Sequence, residues 1–408
     1  MLEHIRVIEL GVWVAGPSAA GILADWGADV VKVEAPGGDP MRRVFQLIAG
    51  HGRPESPPFD LDNRGKRSVA LDLTTAAGQE VIGRLIAGAD VFLTNLRPEA
   101  IERLGLAPER LLAEYPRLIY AIVTGYGRRG PDAGRAGYDV GGFWARSGVA
   151  ASLVPPGEPP PAIRGGFGDH VTGLAVLAGI LGALVERQRT GRGQLVETSL
   201  LRTGIYCLGW DLGIQARFGK LLPAVPRDHE INPLVNCYRA GDGRWLWLLG
   251  VESDRHFPAL CRALDRLDWF GDERFNTARG RRKNAPAVIE AFDAEFAKYS
   301  FGELTDRFDR EDVWWAPVNT PAEVLADAQA AAANAFVEVP GGSWSSAHRA
   351  VNSPIDFGGS LVPPPRPTPA PGEHTEDVLA ELGFDAEQID ALRAAGAFGS
   401  AKYEAYES

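Results

Sequence analysis

Cysteine is scarce: Cys207, Cys237 and Cys261 are the only three in a chain of 408 residues, odd in number and widely spaced. That excludes a disulfide framework and any C-x-x-C pair, and points to a reducing, cytoplasmic setting. Lysine is almost as rare, at positions 32, 66, 220, 283, 298 and 402, so the basic side chains are nearly all Arg. Acidic residues outnumber basic ones 53 to 42, for a net charge of −11. So acidic a chain is a poor binder of nucleic acid or of an anionic membrane surface, and neither partner is expected.

Long apolar runs are missing too. Leu10–Ala24 is interrupted by Pro17 and preceded by Glu3 and Glu9, which a signal n-region would not carry. Val171–Val185 is apolar almost throughout but spans 15 residues, bounded by Asp169 and Glu186. That falls short of the ~20 residues a bilayer requires and predicts a buried core helix. The seven His (4, 51, 170, 229, 256, 348, 374) show no H-E-x-x-H spacing and no zinc pattern with Cys, so no metal is expected. No G-x-S-x-G elbow is present. The turn after the first strand reads Gly11-Val-Trp-Val-Ala-Gly16 rather than G-x-G-x-x-G, and Trp13 and Val14 would crowd a pyrophosphate. Glu34 is therefore read as a structural acid at a strand end, and NAD is not expected.

What is present is an ordinary globular mixture, 45% hydrophobic and 23% charged, long enough for two domains. The first third alternates strand-like stretches (5–10, 29–34, 68–73, 90–94, 118–124) with helix-like ones (17–26, 76–87, 98–104). Near-continuous Val/Ile/Leu strands separated by helices imply a parallel sheet covered on both faces, an α/β fold. A Pro-rich loop at 154–161 leads into a long helix from Asp169 to about Arg189, ended by Gly191 and Gly193, and a further helix over 199–218. The pattern then changes. Cys237–Gly250 reads as a hairpin turning at Asp242–Gly243, with helices near 253–267, 286–298, 301–309 and 321–333. Two amphipathic helices, near 373–382 and 386–395, follow a Pro-rich run. The predicted organisation is a large Rossmann-like α/β domain of residues 1–215 with 335–408. A smaller α+β domain spans 225–330, with linkers at 216–224 and 331–334.

The most informative segment is Arg164-Gly-Gly-Phe-Gly-Asp169-His-Val-Thr. Asp169 opening a helix has two readings. It is an N-cap whose carboxylate accepts first-turn N–H groups, or a carboxylate nucleophile that the helix N-terminus keeps ionised. The flanking Gly168 lets backbone amides approach a reacting carbonyl. Asp139, in Gly137-Tyr138-Asp139, reads as a turn acid or as a second carboxylate of the site. The basic residues Arg42, Arg43, Arg64, Lys66, Arg67, Arg97 and Arg103 fall in strand-to-helix loops, either as surface charge or as a phosphate-binding edge of the sheet.

These motifs together resemble the class III CoA-transferases. The likeness runs in order through residues 10–42, 63–78, 93–105, 137–148, 168–174, 186–200, 316–327 and 372–383. The resemblance implies an interlocked-ring homodimer whose large domain joins the N-terminal part to the C-terminal tail. It implies a coenzyme A thioester as substrate, with Asp169 as nucleophile forming first an acyl anhydride and then an aspartyl-CoA thioester. Tyr138, Asp139 and Gly168 would support it. Ala15, Leu71, Thr74, Asn95, Leu96, Tyr138, Asp139 and Arg103 fall at CoA-contact positions, and Arg42 is added for a phosphate from its charge and loop placement. Ala35, Thr74 and Ala136 replace basic residues of formyl-CoA transferase, Val14 replaces a Gln, and the glycine-rich loop has no counterpart. An acyl group larger or more apolar than formyl or oxalyl is therefore implied. The racemase branch of the family carries His where this chain has Tyr138, whose ordinary pKa near 10 makes it a poor base. Transferase is thus the expected activity, with a 2-methylacyl-CoA racemase and a non-catalytic CoA-binding protein as alternatives.

Overall fold

The computed structural model describes residues 1–49, 55–359 and 362–399. His51, and residues 360–361 and 400–408 of the expected large domain, lie outside the described residues. The chain divides into two compact units. One comprises Met1–Ala150, Pro161–Leu221 and the described residues from Asn334 on; the other comprises Ala151–Pro160 and Leu222–Ala333.

The first unit opens with β1 (Arg6–Leu10), α1 (Ala15–Asp25), β2 (Asp29–Glu34), α2 (Met41–Ala49), α3 (Pro57–Asn63), β3 (Arg67–Ala70) and α4 (Ala76–Ala87). It continues through β4 (Val91–Thr94), α5 (Pro98–Arg103), α6 (Pro108–Glu114) and β5 (Ile119–Thr124). A π-helical segment (Val140–Ala145), α7 (Val149–Ser152), α8 (Phe167–Thr190), β6 (Leu195–Ser199), α9 (Leu200–Cys207) and α10 (Gly209–Phe218) follow. The six strands form one parallel sheet in the order β3-β2-β1-β4-β5-β6. That is the doubly wound order, in which chain direction across the sheet reverses between β1 and β4 and a crevice opens at the strand C-termini.

Strand alternation sorts the apolar side chains onto two faces. Ile8, Val31, Val69, Phe92 and Tyr120 pack with α4, α6 and the C-terminal helices Thr375–Glu381 and Ala386–Ala394. Val7, Val30, Val91, Leu93 and Ile119 pack with α1 and α8. The long helix expected from Asp169 to about Arg189 runs from Phe167 to Thr190, 24 residues that extend beyond its 15-residue apolar run at both ends. Length and composition alone would let it cross a membrane, but its buried residues Thr172, Gly173, Val176, Leu177, Ile180, Ala183, Leu184 and Arg187 recur every three or four positions. They place it as a one-sided core helix. Gly173 permits its close contact with α1: a Cβ there would meet Ser18 Oγ at 2.1 Å.

Three expectations are corrected. The strand β6 falls where only a connection was foreseen, because its half-buried edge residues lack the apolar run of an inner strand. The expected helix 199–218 breaks at Leu208 into α9 and α10. The expected helix 321–333 breaks at Asp327, whose extended backbone ends Pro321–Ala326 while its side chain caps Ala328–Ala332. In the second unit β7 (Cys237–Arg239) and β8 (Trp245–Leu248) form the foreseen hairpin, joined by β9 (Trp315–Pro317). These pack on an aromatic core including Tyr238, Phe257, Trp269, Phe275, Phe292, Phe296 and Phe308.

The first unit also buries charge. Glu9 and Lys32 are register partners on β1 and β2 and are fully buried. Lys32 Nζ lies 2.9 Å from Glu9 Oε1, 2.9 Å from Asp39 Oδ2 and 3.0 Å from the Gly11 carbonyl. Lys66 Nζ donates to Glu9 Oε2 (2.6 Å), the Pro17 carbonyl (2.9 Å) and Asn63 Oδ1 (2.9 Å). Burial raises the Glu9 pKa, but the two ammonium groups outweigh it and hold the carboxyl below its ordinary value. Burial dominates at Lys66, whose pKa falls to about 8. Beside them Arg42 pairs with both oxygens of Glu34 (2.8 and 2.6 Å) and donates to the Pro369 carbonyl. The proposed phosphate role of Arg42 is therefore corrected: its guanidinium is fully buried, neutralised by Glu34 and faced by the rings of Phe59 and Trp344. Glu34 is the structural acid foreseen, both oxygens committed, and Arg42 brings it to about 2 against the opposing effect of burial. Removing the shared anion by Glu9→Ala leaves two buried cations with too few partners. Urea unfolding should show a loss of about 3–5 kcal/mol, whereas an exposed pair such as Glu80–Arg84 should cost less than ~1 kcal/mol.

Candidate active site

A cleft opens at the C-terminal ends of β1, β4 and β5, where the doubly wound order reverses. Its wall comes from the residues that follow each strand: Trp13 and Ala15 after β1, Asn95–Pro98 after β4, Val123–Gly125 at the end of β5 and Leu200 after β6. Arg135 and Tyr138 from the long β5–β6 crossover, and Asp169 from α8, complete it.

The loop after β1 is fixed by Asn95, whose side chain accepts from Val12 N (2.9 Å) and donates to Val12 O (2.6 Å). Trp13 N donates to Asp39 Oδ1 (3.2 Å), tying the same loop to the buried charges. Tyr138 stands edge-on to Trp13, ring centroids 5.6 Å apart at 87°. Asp139 starts the π-helical turn; its Oδ1 accepts from Val140 N at 2.8 Å, and its Oδ2 is buried without a hydrogen-bond partner.

Asp169 is not the N-cap. Gly166 is, in a left-handed conformation without a side-chain cap, and Asp169 is the third residue of α8. The first α-helical backbone bond runs from His170 N to Gly166 O, so the amides of Gly168 and Asp169 precede it and belong to the donor-rich helix start. Gly168 is required by packing: a Cβ would lie 2.6 Å from the Phe143 ring. The expectation that the helix start lowers the Asp169 pKa is also corrected. Burial, then the neighbouring charge of Asp139, push it up to about 7; His170 opposes them and Asp62 adds to them.

His170 itself is held by Asp62 on α3, Nε2 to Oδ1 at 3.0 Å. Burial lowers its pKa, but the bond and charge of Asp62 outweigh that and raise it. Asp62 carries the opposite conflict, and there burial wins and raises the carboxyl pKa.

Of the residues predicted from sequence, Ala15, Asn95, Leu96, Tyr138 and Asp169 line the cleft, with Asp139 and Gly168 immediately beside lining residues. Leu71, Thr74 and Arg103 do not line it. Leu71 is sealed in the core, Thr74 is exposed and bonded to Asp72, and Arg103 is exposed in the last turn of α5. The basic cluster is not a phosphate-binding edge as a whole. Arg64 pairs with Asp25, Arg67 with Asp29 and Glu381, and Arg42 and Lys66 are buried with their anions; Arg97 alone of that set lines the cleft. The Asp62–His170 pair was missed, since no spacing links residues 108 apart. Arg135 was also missed, though the Gly/Arg-rich loop around it was visible. Among the described residues no three His, Cys, Asp or Glu side chains cluster as metal ligands.

Comparison with known proteins places this architecture. The chain matches CoA-transferase family III over residues 2–375. It is 32% identical over 393 residues to the (R)-2-hydroxy-4-methylpentanoate CoA-transferase of Clostridioides difficile, covering 96% of this chain and 97% of that one. It is 33% identical to the cinnamoyl-CoA:phenyllactate CoA-transferase of Clostridium sporogenes, covering 96% of each. It is 30% identical to a formyl-CoA:oxalate CoA-transferase of Escherichia coli, covering 96% and 98%. Among solved structures, a CAIB/BAIF family protein from Brucella suis superposes with a TM-score of 0.82 at 30% identity, covering 93% of this chain and 99% of that one.

The electrostatics of Asp169 can be read directly by following its titration with carboxyl-selective modification across pH. Asp139→Asn removes a like charge and should move the midpoint below about 7. His170→Asn removes an opposing charge and should move it up.

Proposed function

Because the chain belongs to CoA-transferase family III, we propose that it moves CoA from an acyl-CoA donor to a carboxylic acid acceptor through covalent intermediates on Asp169. The observation that carries this reading is a carboxylate at a helix start, opening into a walled cleft at the switch point of a doubly wound sheet. The ionised Asp169 oxygen attacks the thioester carbonyl, the C–S bond breaks, and an acyl-aspartyl anhydride and free CoA thiolate result. The thiolate then attacks the aspartyl carbonyl, releasing the donor acid and leaving an aspartyl-CoA thioester. The acceptor carboxylate attacks that thioester and regenerates an anhydride. Return of the thiolate to its acyl carbon releases the product and restores Asp169. Amides at the start of α8 are suited to the tetrahedral oxyanions, and the cleft walls keep water from both hydrolysable intermediates.

A midpoint of about 7 makes Asp169 a stronger nucleophile than an ordinary carboxylate, while leaving about half of it ionised at neutral pH. In the free enzyme kcat/KM should therefore rise with pH to a plateau above 7. Ala15, Asn95 and Leu96 at the cleft wall are proposed CoA contacts, Asn95 and Leu96 together with the exposed Arg103 around the adenine and phosphates and the exposed Thr74 as a further contact. The proposal includes a homodimer of interlocked chains. Exposed Tyr206, Trp210 and Phe218, on or beside an α10 that buries no residue, support a covered face there.

The test is CoA exchange between a panel of acyl-CoAs and isotopically labelled carboxylic acids, read by mass spectrometry, with hydroxylamine trapping of the enzyme. Transfer should vanish in Asp169→Ala, and the trapped label should map to Asp169. Unimpaired transfer in Asp169→Ala overturns the mechanism. Solvent deuterium entering the α-carbon without an acceptor moves the protein to the racemase reading, and CoA binding without turnover to a binding role. Sedimentation should give twice the chain mass of 43.9 kDa.

A further inference from the structure

Among the described residues four non-glycine residues have a positive φ, and Trp13, at 65°, is the one of these that lines the cleft. Left-handed backbone is costly for a bulky side chain and persists where its surroundings over-determine it. Here they do. On one side Asn95 brackets the backbone of Val12. On the other, Asp39 accepts the Trp13 amide while paired with Lys32 and hydrogen-bonded through its own amide to Glu34. The half-buried indole rests against Val14, Met41, Phe59 and Trp344 and also faces the cleft, edge-on to Tyr138.

We propose that Trp13 sets the acyl specificity of the cleft: with Tyr138 it forms an aromatic corner that takes a branched or aromatic acyl body and disfavours short or dicarboxylic ones. This deepens the proposed function and rests on it. The corner offers flat apolar area at low entropic cost, which a methyl group cannot fill. A second carboxylate on the acyl group would be brought toward the like charges of Asp139 and Asp169. Arg97 and Arg135 also line the cleft and are the groups a dicarboxylate would need; Arg135 is exposed and stands 3.7 Å from Asp132, a carboxylate that also pairs with Arg146, so Arg135 is the residue whose removal separates the two preferences.

The experiment compares kcat/KM for acetyl-, succinyl-, 4-methylpentanoyl- and 3-phenylpropanoyl-CoA as donors, in the native protein and in Trp13→Phe, Trp13→Asn and Trp13→Gly. Gly relieves the backbone strain and Asn tolerates it, so at least one ring-free variant should fold; thermal melting reports which. The native protein should prefer phenylpropanoyl- and 4-methylpentanoyl-CoA over acetyl- and succinyl-CoA. The phenylpropanoyl-to-acetyl ratio should fall about tenfold or more without the ring, and Trp13→Phe should retain most of it. A native preference for succinyl-CoA that is lost in Arg135→Gln, or ring-free variants that lower all donors equally, overturns the role of Trp13 while leaving transfer through Asp169 intact. No transfer from any donor, in native protein, sinks the transferase reading itself.

Discussion

Glu9 sits inside the sheet with a buried ammonium on either oxygen, and much of the first unit is arranged around that fact. Desolvating three charges together is tolerable only if each finds partners at short range, which fixes Lys32 from the neighbouring strand and Lys66 from the approach to β3. Lys32 in turn engages Asp39 and the Gly11 carbonyl, and Asp39 holds the Trp13 amide. The loop that walls the cleft is therefore positioned by electrostatics beneath it rather than by its own sequence preferences. Glu34 and Arg42 extend the cluster to the chain near Pro369, so that three carboxylates and three cations close with no net charge.

The cleft shows two opposing demands on one carboxyl group. The proposed mechanism requires Asp169 to be partly enclosed so that acyl intermediates are protected, yet enclosure and the nearby Asp139 favour its neutral form. His170 opposes that shift while its partner Asp62 adds to it, so the pair behind Asp169 offsets only part of it. The balance leaves the group near neutrality in pKa, where nucleophilicity and ionised fraction are both appreciable.

Much of the sheet was legible because inner parallel strands are buried on both faces and run nearly continuously apolar, as Val91–Leu93 and Ile119–Val123 do, with Glu9 and Lys32 the charged interruptions in β1 and β2. Asp169, Tyr138 and Asn95 were legible through motifs. Three things were not. An edge strand such as Leu195–Ser199 carries half the hydrophobic demand and leaves little periodicity. Charged residues read by default as surface, so Arg42 and Lys66, both fully buried, were misplaced for want of knowledge of their partners. The direction of the Asp169 shift depends on Asp139, thirty positions earlier, and on burial, neither of which spacing encodes.

One face of the sheet is finished by the far end of the chain. Val378, Leu379, Phe384, Ile389 and Leu392 belong to the same apolar cluster as Ile8, Val31 and Phe92. During synthesis the N-terminal strands therefore emerge hundreds of residues before the helices that cover them. Contacts that span such separations form slowly, and the uncovered face is adhesive meanwhile. The fold is thus completed late, by its last helices, and the nascent chain must carry an open apolar surface until they arrive.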